Sequence, residues 1–351
     1  MHELTMNLHL LVPALFWPDA GLPDIYRDLS LPALENLIAK CSSDDDESEG
    51  LEAWLCGAFG VARQQDWPVA PLALRVDGAE DIKAGNDYWI RADPVHLHIE
   101  RDQIVLADSR VFRISSQEAE ALTGALNQHF AANNQELVFL PLQPDRWYMR
   151  VTKTPAAKTH LLSEAANRGI NELLPFGVNQ TFWRGLFNEI QMLLHSHPLN
   201  QSREAHGEPV INSTWFWGGG VMPESPSSPY TSIWSNNVLA RSLALASRTD
   251  HIPLPPTAAM WQQSAASGHH LVVLDALYGK AQYADAYGWR ESLKELERSW
   301  FAPLWAMSRQ GLFDRITLTA LGECKSKTFT ARRVDLRKFW RRPKPISIYA
   351  G

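Results

Sequence analysis

The stretch HSHPLNQSREAHGEPVINSTWFWGGG, His195 to Gly220, is the most informative run of this chain. It gathers His195, His197, His206, Asn200, Asn212, Arg203, Trp215, Trp217 and a glycine triplet into one short span. Neither a helical nor a strand period runs through it, so it reads as a loop that positions a polar ligand. His195 and His197 stand before Pro198 at a helix end, where a cationic imidazole suits the dipole. The glycine triplet could present backbone N–H groups to a phosphate. It is not a G-x-G-x-x-G run and no P-loop lysine follows, so a tight turn packed under tryptophans stands as an equal reading.

Outward from this run, the chain alternates strands and helices. Leu8–Leu15 reads as a buried first strand. Leu31–Lys40 reads as a helix capped by Ser30, with Pro32 in its first turn. Ser42–Gly50 is expected to be an acidic loop, Leu51–Gly60 a second helix and Val69–Val76 a strand. Tyr88–Arg113 is strand-like, with a hairpin turn at Glu100–Asp102. A helix follows, capped by Ser115 or Ser116, with Glu118 in its first turn. Glu136–Leu142 and Trp147–Thr152 read as strands and Asn179–Leu194 as an amphipathic helix. Beyond the glycines come a short strand at Thr231–Trp234, a helix near Asn237–Ala246 and a strand at Leu271–Asp275. His269-His270 before it reads as a turn. A long helix over Trp289–Gln310 and the strand Arg315–Ala320 complete the series. Strand–helix–strand order at both ends implies a parallel sheet with helices on its faces, and the hairpin-rich middle an inserted α+β domain.

The chain has 351 residues, 45% hydrophobic and 21% charged, which calls for a globular protein with a large core. Its net charge of -6 argues against wholesale nucleic-acid binding. The apolar run Leu8–Trp17 is too short to span a membrane, so no membrane partner is expected. Three scattered cysteines without a C-x-x-C motif and a start lacking a basic segment fit a cytoplasmic protein.

Several stretches, in order, resemble the archaeal-type branch of the cofactor-independent phosphoglycerate mutases, members of the alkaline phosphatase superfamily. Asp81–Pro94 with Arg91 resembles one family segment, and the hairpin with Asp102, Asp108 and Arg110 its next. His197-Pro-Leu-Asn200, Arg203, Gly207 and Asn212 resemble the histidine-proline-x-asparagine run that ends in a glycine pair. The chain is also similar to a little-characterised bacterial group labelled either phosphoglycerate mutases or regulatory proteins of the Rpf E type. The resemblance implies an alkaline-phosphatase-like α/β domain built from residues 1–80 and 205–351, holding an inserted α+β domain of residues 81–204. It also implies two divalent metals such as manganese, held by Asp and His, and a serine that takes the phosphoryl group.

The expected ligands are missing. The first strand should end in a metal-binding aspartate, yet no acid stands there until Asp19. Leu321 and Gly322 occupy the place of the C-terminal Asp-His pair, and no histidine follows His270. The nucleophile position falls near Ser48. The family's arginine is replaced by Trp217. No cofactor is therefore expected. The leading expectation is a mutase-like protein with a degenerate metal site, regulatory or binding a phosphorylated small molecule or a protein partner. Its ligand-binding candidates are Arg91, His197, Asn200, Arg203, Asn212, Gly218 and Gly219. The alternative is an active mutase or phosphotransferase with a rearranged site of Ser48, Asp19, Asp275 and Asp285.

Two further features stay open. His96 and His98 point to one side of a strand and could chelate a metal, or serve as hydrogen-bonded strand histidines. Between Lys325 and Lys344 stand nine basic residues and one acid, read as a solvated basic tail or a site for phosphate, nucleic acid or an acidic partner. The acidic Asp44–Glu49 segment is one candidate counterpart.

Overall fold

The computed structural model describes residues 6–19, 21–78, 85–133, 137–151, 157–177 and 179–350. The sequence segment Asp81–Ala84, Glu136 and Thr152 lie outside them. In chain order the first elements are β1 (Met6–Pro13), α1 (Pro32–Lys40), β2 (Ser42–Glu47) and α2 (Gly50–Ala58). Next come α3 (Val69–Asp77), β3 (Tyr88–Glu100), β4 (Gln103–Ala107), α4 (Ser116–Ala132), β5 (Leu137–Gln143) and β6 (Arg146–Val151). After these lie β7 (Ala157–Lys158), α5 (Leu162–Ala165), β8 (Phe176–Gly177), α6 (Gln180–His195), α7 (Pro198–Ala205) and β9 (Ser213–Gly220). The chain continues through β10 (Ser232–Trp234), α8 (Val238–Ser247), β11 (Asp250–Ile252), α9 (Ala258–Ser264) and β12 (Gly268–Val273). It ends with α10 (Tyr278–Gln282), α11 (Ala286–Leu296), a π turn (Glu297–Phe301), α12 (Ala302–Arg309), β13 (Arg315–Leu321) and β14 (Lys325–Arg332).

Two compact units result. The first joins Met1–Gly60 with Ser225–Gly351, and the second is the continuous Val61–Glu224 between them. These boundaries correct the expected 80/81 and 204/205. Helix α3 packs on β3 and β9, and β9 pairs with β3, so both elements belong to the middle unit.

The first unit is a seven-stranded sheet in the order β11-β10-β12-β1-β13-β14-β2. The first five strands are parallel; β14 runs antiparallel to β13 and to β2. One face of β1 presents Leu8, Leu10 and Val12, which share a core with Val272, Ile316, Leu318 and Phe329 and with Leu34, Trp289 and Leu304 of the helices. This is strand alternation at period two set against helical stripes at period 3.6. The N-cap of helix α1 is Leu31 rather than Ser30, so the helix has no side-chain cap of its own. The Glu297 carboxylate, carried on the π turn, accepts from Ala33 N at 2.6 Å and Leu34 N at 3.1 Å instead. A distant acid thus satisfies the open amides of the helix start.

In the second unit β3 is the spine, pairing with β4, β6 and β9 in antiparallel register. Helix α4 starts on the expected Ser115–Glu118 capping box and packs on β5, while α6 packs on β9.

Four readings are overturned. Val69–Val76 is helix: Pro71 fits its first turn, and Ala70, Leu72, Ala73 and Leu74 favour a helix once all are buried. Ser42–Glu47 is an edge strand rather than a loop. The basic stretch is no free tail, because its first half is β14. Lys325 and Lys327 of β14 stand opposite Glu47 and Asp45 of β2, and Lys327 Nζ lies 3.5 Å from Asp45 Oδ1. Opposite charge across the pair makes two polar strands compatible. His269-His270 lies inside β12, not in a turn. No described helix is long and apolar enough to cross a membrane.

Candidate functional site

Parallel α/β sheets bind ligands outside the carboxyl ends of their strands. In the first unit, β1 leaves through Pro13 into Ala14, whose φ of 56° is the left-handed region that strains a residue with a Cβ. Ala14 N donates to Leu321 O at 2.8 Å, and Ala14 O accepts from the Trp289 indole at 2.8 Å. Leu15 is wholly buried, and Trp17 meets Trp289 edge-on at 5.6 Å. Together with Leu277 they form an apolar plug at the carboxyl end of β1.

Ser48 lies at the same edge. Its hydroxyl donates to Gly322 O at 2.8 Å and accepts from Gly50 N at 3.2 Å. The hydroxyl proton points at a backbone carbonyl, and a nucleophile needs a base there. Asp19 is exposed and accepts from Gly21 N at 2.7 Å. Asp275 follows β12 and is half-buried. Asp285 caps α11, accepting from Gly288 N at 2.8 Å, with Lys280 at 3.1 Å. The Gly288 amide and the Lys280 ammonium hold its carboxyl below the usual range.

The ligand-binding candidates of the second unit direct their polar groups at the chain itself. Arg91 is buried and forms a two-pronged pair with Asp93 at 2.7–2.9 Å, its guanidinium lying over the Tyr148 and Trp217 rings. Asp93 also accepts from Trp217 Nε1 at 2.8 Å and Trp147 N at 3.0 Å. Trp217 therefore completes a buried ion pair. Asn200 donates to Leu194 O and Ile211 O and accepts from Ile211 N. Arg203 binds Pro209 O, Arg113 O and Glu118 Oε1. Asn212 brackets Leu97, accepting from its N and donating to its O.

His197 begins α7 rather than ending α6, and its Nδ1 accepts from Leu199 N at 3.2 Å. That arrangement needs a neutral ring at a helix N-terminus, which corrects the cationic reading; burial also lowers its pKa. The glycine triplet is the end of buried strand β9, not a loop. Gly218 has a φ of 64°, and a Cβ there would stand 2.9 Å from Val69. At Gly219 a Cβ would collide with Tyr88 Oη. The glycines permit close packing, whereas no described ligand cradle uses them.

His96 and His98 stack at 5.4 Å, and His96 Nδ1 is 2.7 Å from Val210 O. Among the described residues, no group of three His, Cys, Asp or Glu is placed to hold a metal. One polar cluster escaped the sequence reading. On the second face of β1, His9 Nδ1 lies 2.9 Å from Tyr230 Oη, and its Nε2 lies 2.9 Å from Thr319 Oγ1. Trp54 of α2 meets the ring edge-on at 5.3 Å. Burial, then the nearby His269, lowers the His9 pKa to about 4. The signal was there: His9 is the polar position between Leu8 and Leu10.

No protein-family model matches the chain. It is 30% identical over 121 residues to the 2,3-bisphosphoglycerate-independent phosphoglycerate mutase of Methanosarcina barkeri. The same enzyme of Methanosarcina acetivorans is 27% identical over 121 residues. Each match covers 34% of this chain and 30% of the relative, so the chain matches less than a third of the length of these curated relatives. Among solved structures, the cofactor-independent phosphoglycerate mutase of Thermoplasma acidophilum superposes with a TM-score of 0.50 at 15% identity. That superposition covers 99% of this chain and 95% of the other. A protein of Pyrococcus horikoshii gives 0.52 at 10% identity, covering 93% and 87%. In fold over nearly its whole length, and in sequence over about a third of it, this chain is similar to cofactor-independent phosphoglycerate mutases.

Proposed function

We propose that this protein is a phosphoglycerate-mutase-like binding protein without mutase turnover, regulatory in role, that engages a phosphorylated small molecule or a protein partner. The observation that carries the reading is the apolar plug at the carboxyl end of β1, where Ala14, Leu15 and Trp289 stand. In the family two metals polarise the phosphoryl oxygens and activate the serine. Pro13, Ala14, Leu15, Leu321 and Gly322 offer no ligand for such a pair, and the loop after Asp275 brings no histidine. These residues do not fit the two-metal group. A cytoplasmic setting and kinship with the bacterial regulatory group belong to the same proposal.

A second reading, an active phosphotransferase with a rearranged site, draws on the Ser48 hydroxyl at the strand edge beside Gly322. Metal analysis of the purified protein with a mutase assay in added manganese separates the two. The binding reading expects no turnover, together with a melting temperature raised by 3-phosphoglycerate if the small molecule is the ligand. Stoichiometric metal with turnover abolished by Ser48→Ala overturns it in favour of the second reading.

A further inference from the structure

The segment after β14 is built in a way that neither reading uses. Phe339 is 86% exposed and Trp340 64% exposed, side by side on one turn. Their rings meet edge-to-face at 5.2 Å and 84°. Exposed neighbouring aromatics of this size are costly on a soluble surface unless something covers them. The turn is also pinned. The buried Lys40 ammonium donates to Lys338 O at 2.9 Å and to Arg341 O at 2.5 Å, one bond on each side of the aromatic pair. Arg341 in turn donates to Lys40 O and Cys41 O. A buried cation thus fixes the backbone of a turn whose two large rings face outward.

The surroundings are basic. Arg337, Arg342 and Lys344 are exposed and make no ion pair among the described residues, and the one acid of the segment, Asp335, is held by Lys338 and the Arg332 amide. We propose that this Arg337–Lys344 tip is a peripheral docking element for an anionic bilayer surface. Phe339 and Trp340 enter the interfacial layer, and Arg337, Arg342 and Lys344 meet acidic headgroups. Tryptophan rings settle at the headgroup level, and juxtaposed basic residues are drawn to anionic lipid. No spanning helix is needed for this. The perpendicular rings favour a bilayer over a single-stranded nucleic acid, because successive bases stack on parallel aromatic faces.

Co-sedimentation of the full chain with phosphatidylglycerol–phosphatidylcholine vesicles at low salt tests the proposal. Binding is expected to the anionic vesicles and not to pure phosphatidylcholine, and to weaken as salt rises. The Phe339→Ser/Trp340→Ser variant should lose about tenfold or more in partitioning. Arg337→Gln or Arg342→Gln should lose about fivefold each. All four side chains are exposed, so unchanged melting temperatures should accompany these losses. No binding to anionic vesicles at low salt overturns the proposal, as does binding that the aromatic variant leaves unchanged. Retention of a single-stranded oligonucleotide, lost in the same variant, with vesicles left unbound, also overturns it and points to nucleic acid.

Discussion

The indole nitrogen of Trp289 donates to the carbonyl oxygen of Ala14 at 2.8 Å, tying helix α11 to the residue that follows the central strand. Ala14 holds a left-handed φ of 56°, so this bond and the bond from Ala14 N to Leu321 O fix a strained exit. Trp289→Phe keeps most of the apolar bulk but leaves that buried carbonyl without its donor. The expected cost is about 1–3 kcal/mol, read as a lower urea midpoint with an unchanged slope. An unaltered midpoint would show that the plug is held by packing alone.

The Arg91–Asp93 pair sits in the middle of the second unit with almost no exposure. Asp93→Ala strands a buried guanidinium and two indole and amide donors. The cost should reach about 3–5 kcal/mol. Replacing both partners, as Arg91→Met with Asp93→Leu, should cost less than the single change, because no buried charge remains. Chemical denaturation of the three variants measures the difference.

Tyr88 and Gly219 make a paired test. The Tyr88 hydroxyl is buried with no hydrogen-bond partner among the described residues, so Tyr88→Phe should be neutral or stabilising by up to about 1 kcal/mol. Gly219→Ala, whose Cβ would meet that hydroxyl, should destabilise by about 1–3 kcal/mol. Adding Tyr88→Phe to Gly219→Ala should recover part of the loss. Thermal unfolding reads all three.

Asn200 saturates two carbonyls and one amide between α6 and the approach to β9. Asn200→Ala should cost about 2–4 kcal/mol through orphaned buried backbone groups. Asn200→Asp should cost as much, since a carboxylate cannot donate to Leu194 O or Ile211 O. If either variant kept full stability while losing a ligand-induced rise in melting temperature, Asn200 would be a ligand residue after all.

His9 gives a pH dependence with a definite sign. Its folded pKa of about 4 lies below the unfolded value near 6.5, because burial and His269 disfavour the cation. The unfolded chain therefore binds the proton first. The contribution is complete above about pH 6.5 and is lost progressively as pH falls toward 4, on the order of 3 kcal/mol in all. His9→Gln should flatten this part of the stability curve between pH 4 and 6.5. An unchanged slope would show that His9 titrates normally.

The first strand, the Ser115–Glu118 capping box, the hairpin turn at Glu100–Asp102 and helix α6 were legible because each is written in local residues. Arg101 and Asp102 both take positive φ, as a two-residue hairpin demands. Val69–Asp77, β2 and β14 were not. Helix α3 is buried along most of its length, so its apolar positions show no helical stripe. Strands β2 and β14 are polar enough to pass for loop and tail until each supplies the other's opposite charge.

The candidate site divides in the same way. That Ala14, Leu321 and Gly322 offer no side-chain ligand could be read from residue identity alone, since they lack the needed atoms in any fold. The roles of Arg91, Asn200, Arg203 and Asn212 could not, because a side chain that binds a ligand and one that binds its own backbone carry the same letters. Sequence by itself determined the family likeness and the alternating α/β order, and it fixed that no Asp or His stands at Ala14, Leu321 or Gly322. Only the tertiary structure decided that His195–Gly220 is a helix end, a helix and a buried strand. Arg203, Asn212 and Trp217 find partners in Arg113, Glu118, Leu97 and Asp93, distant in sequence, and such partners exist only once the fold has closed.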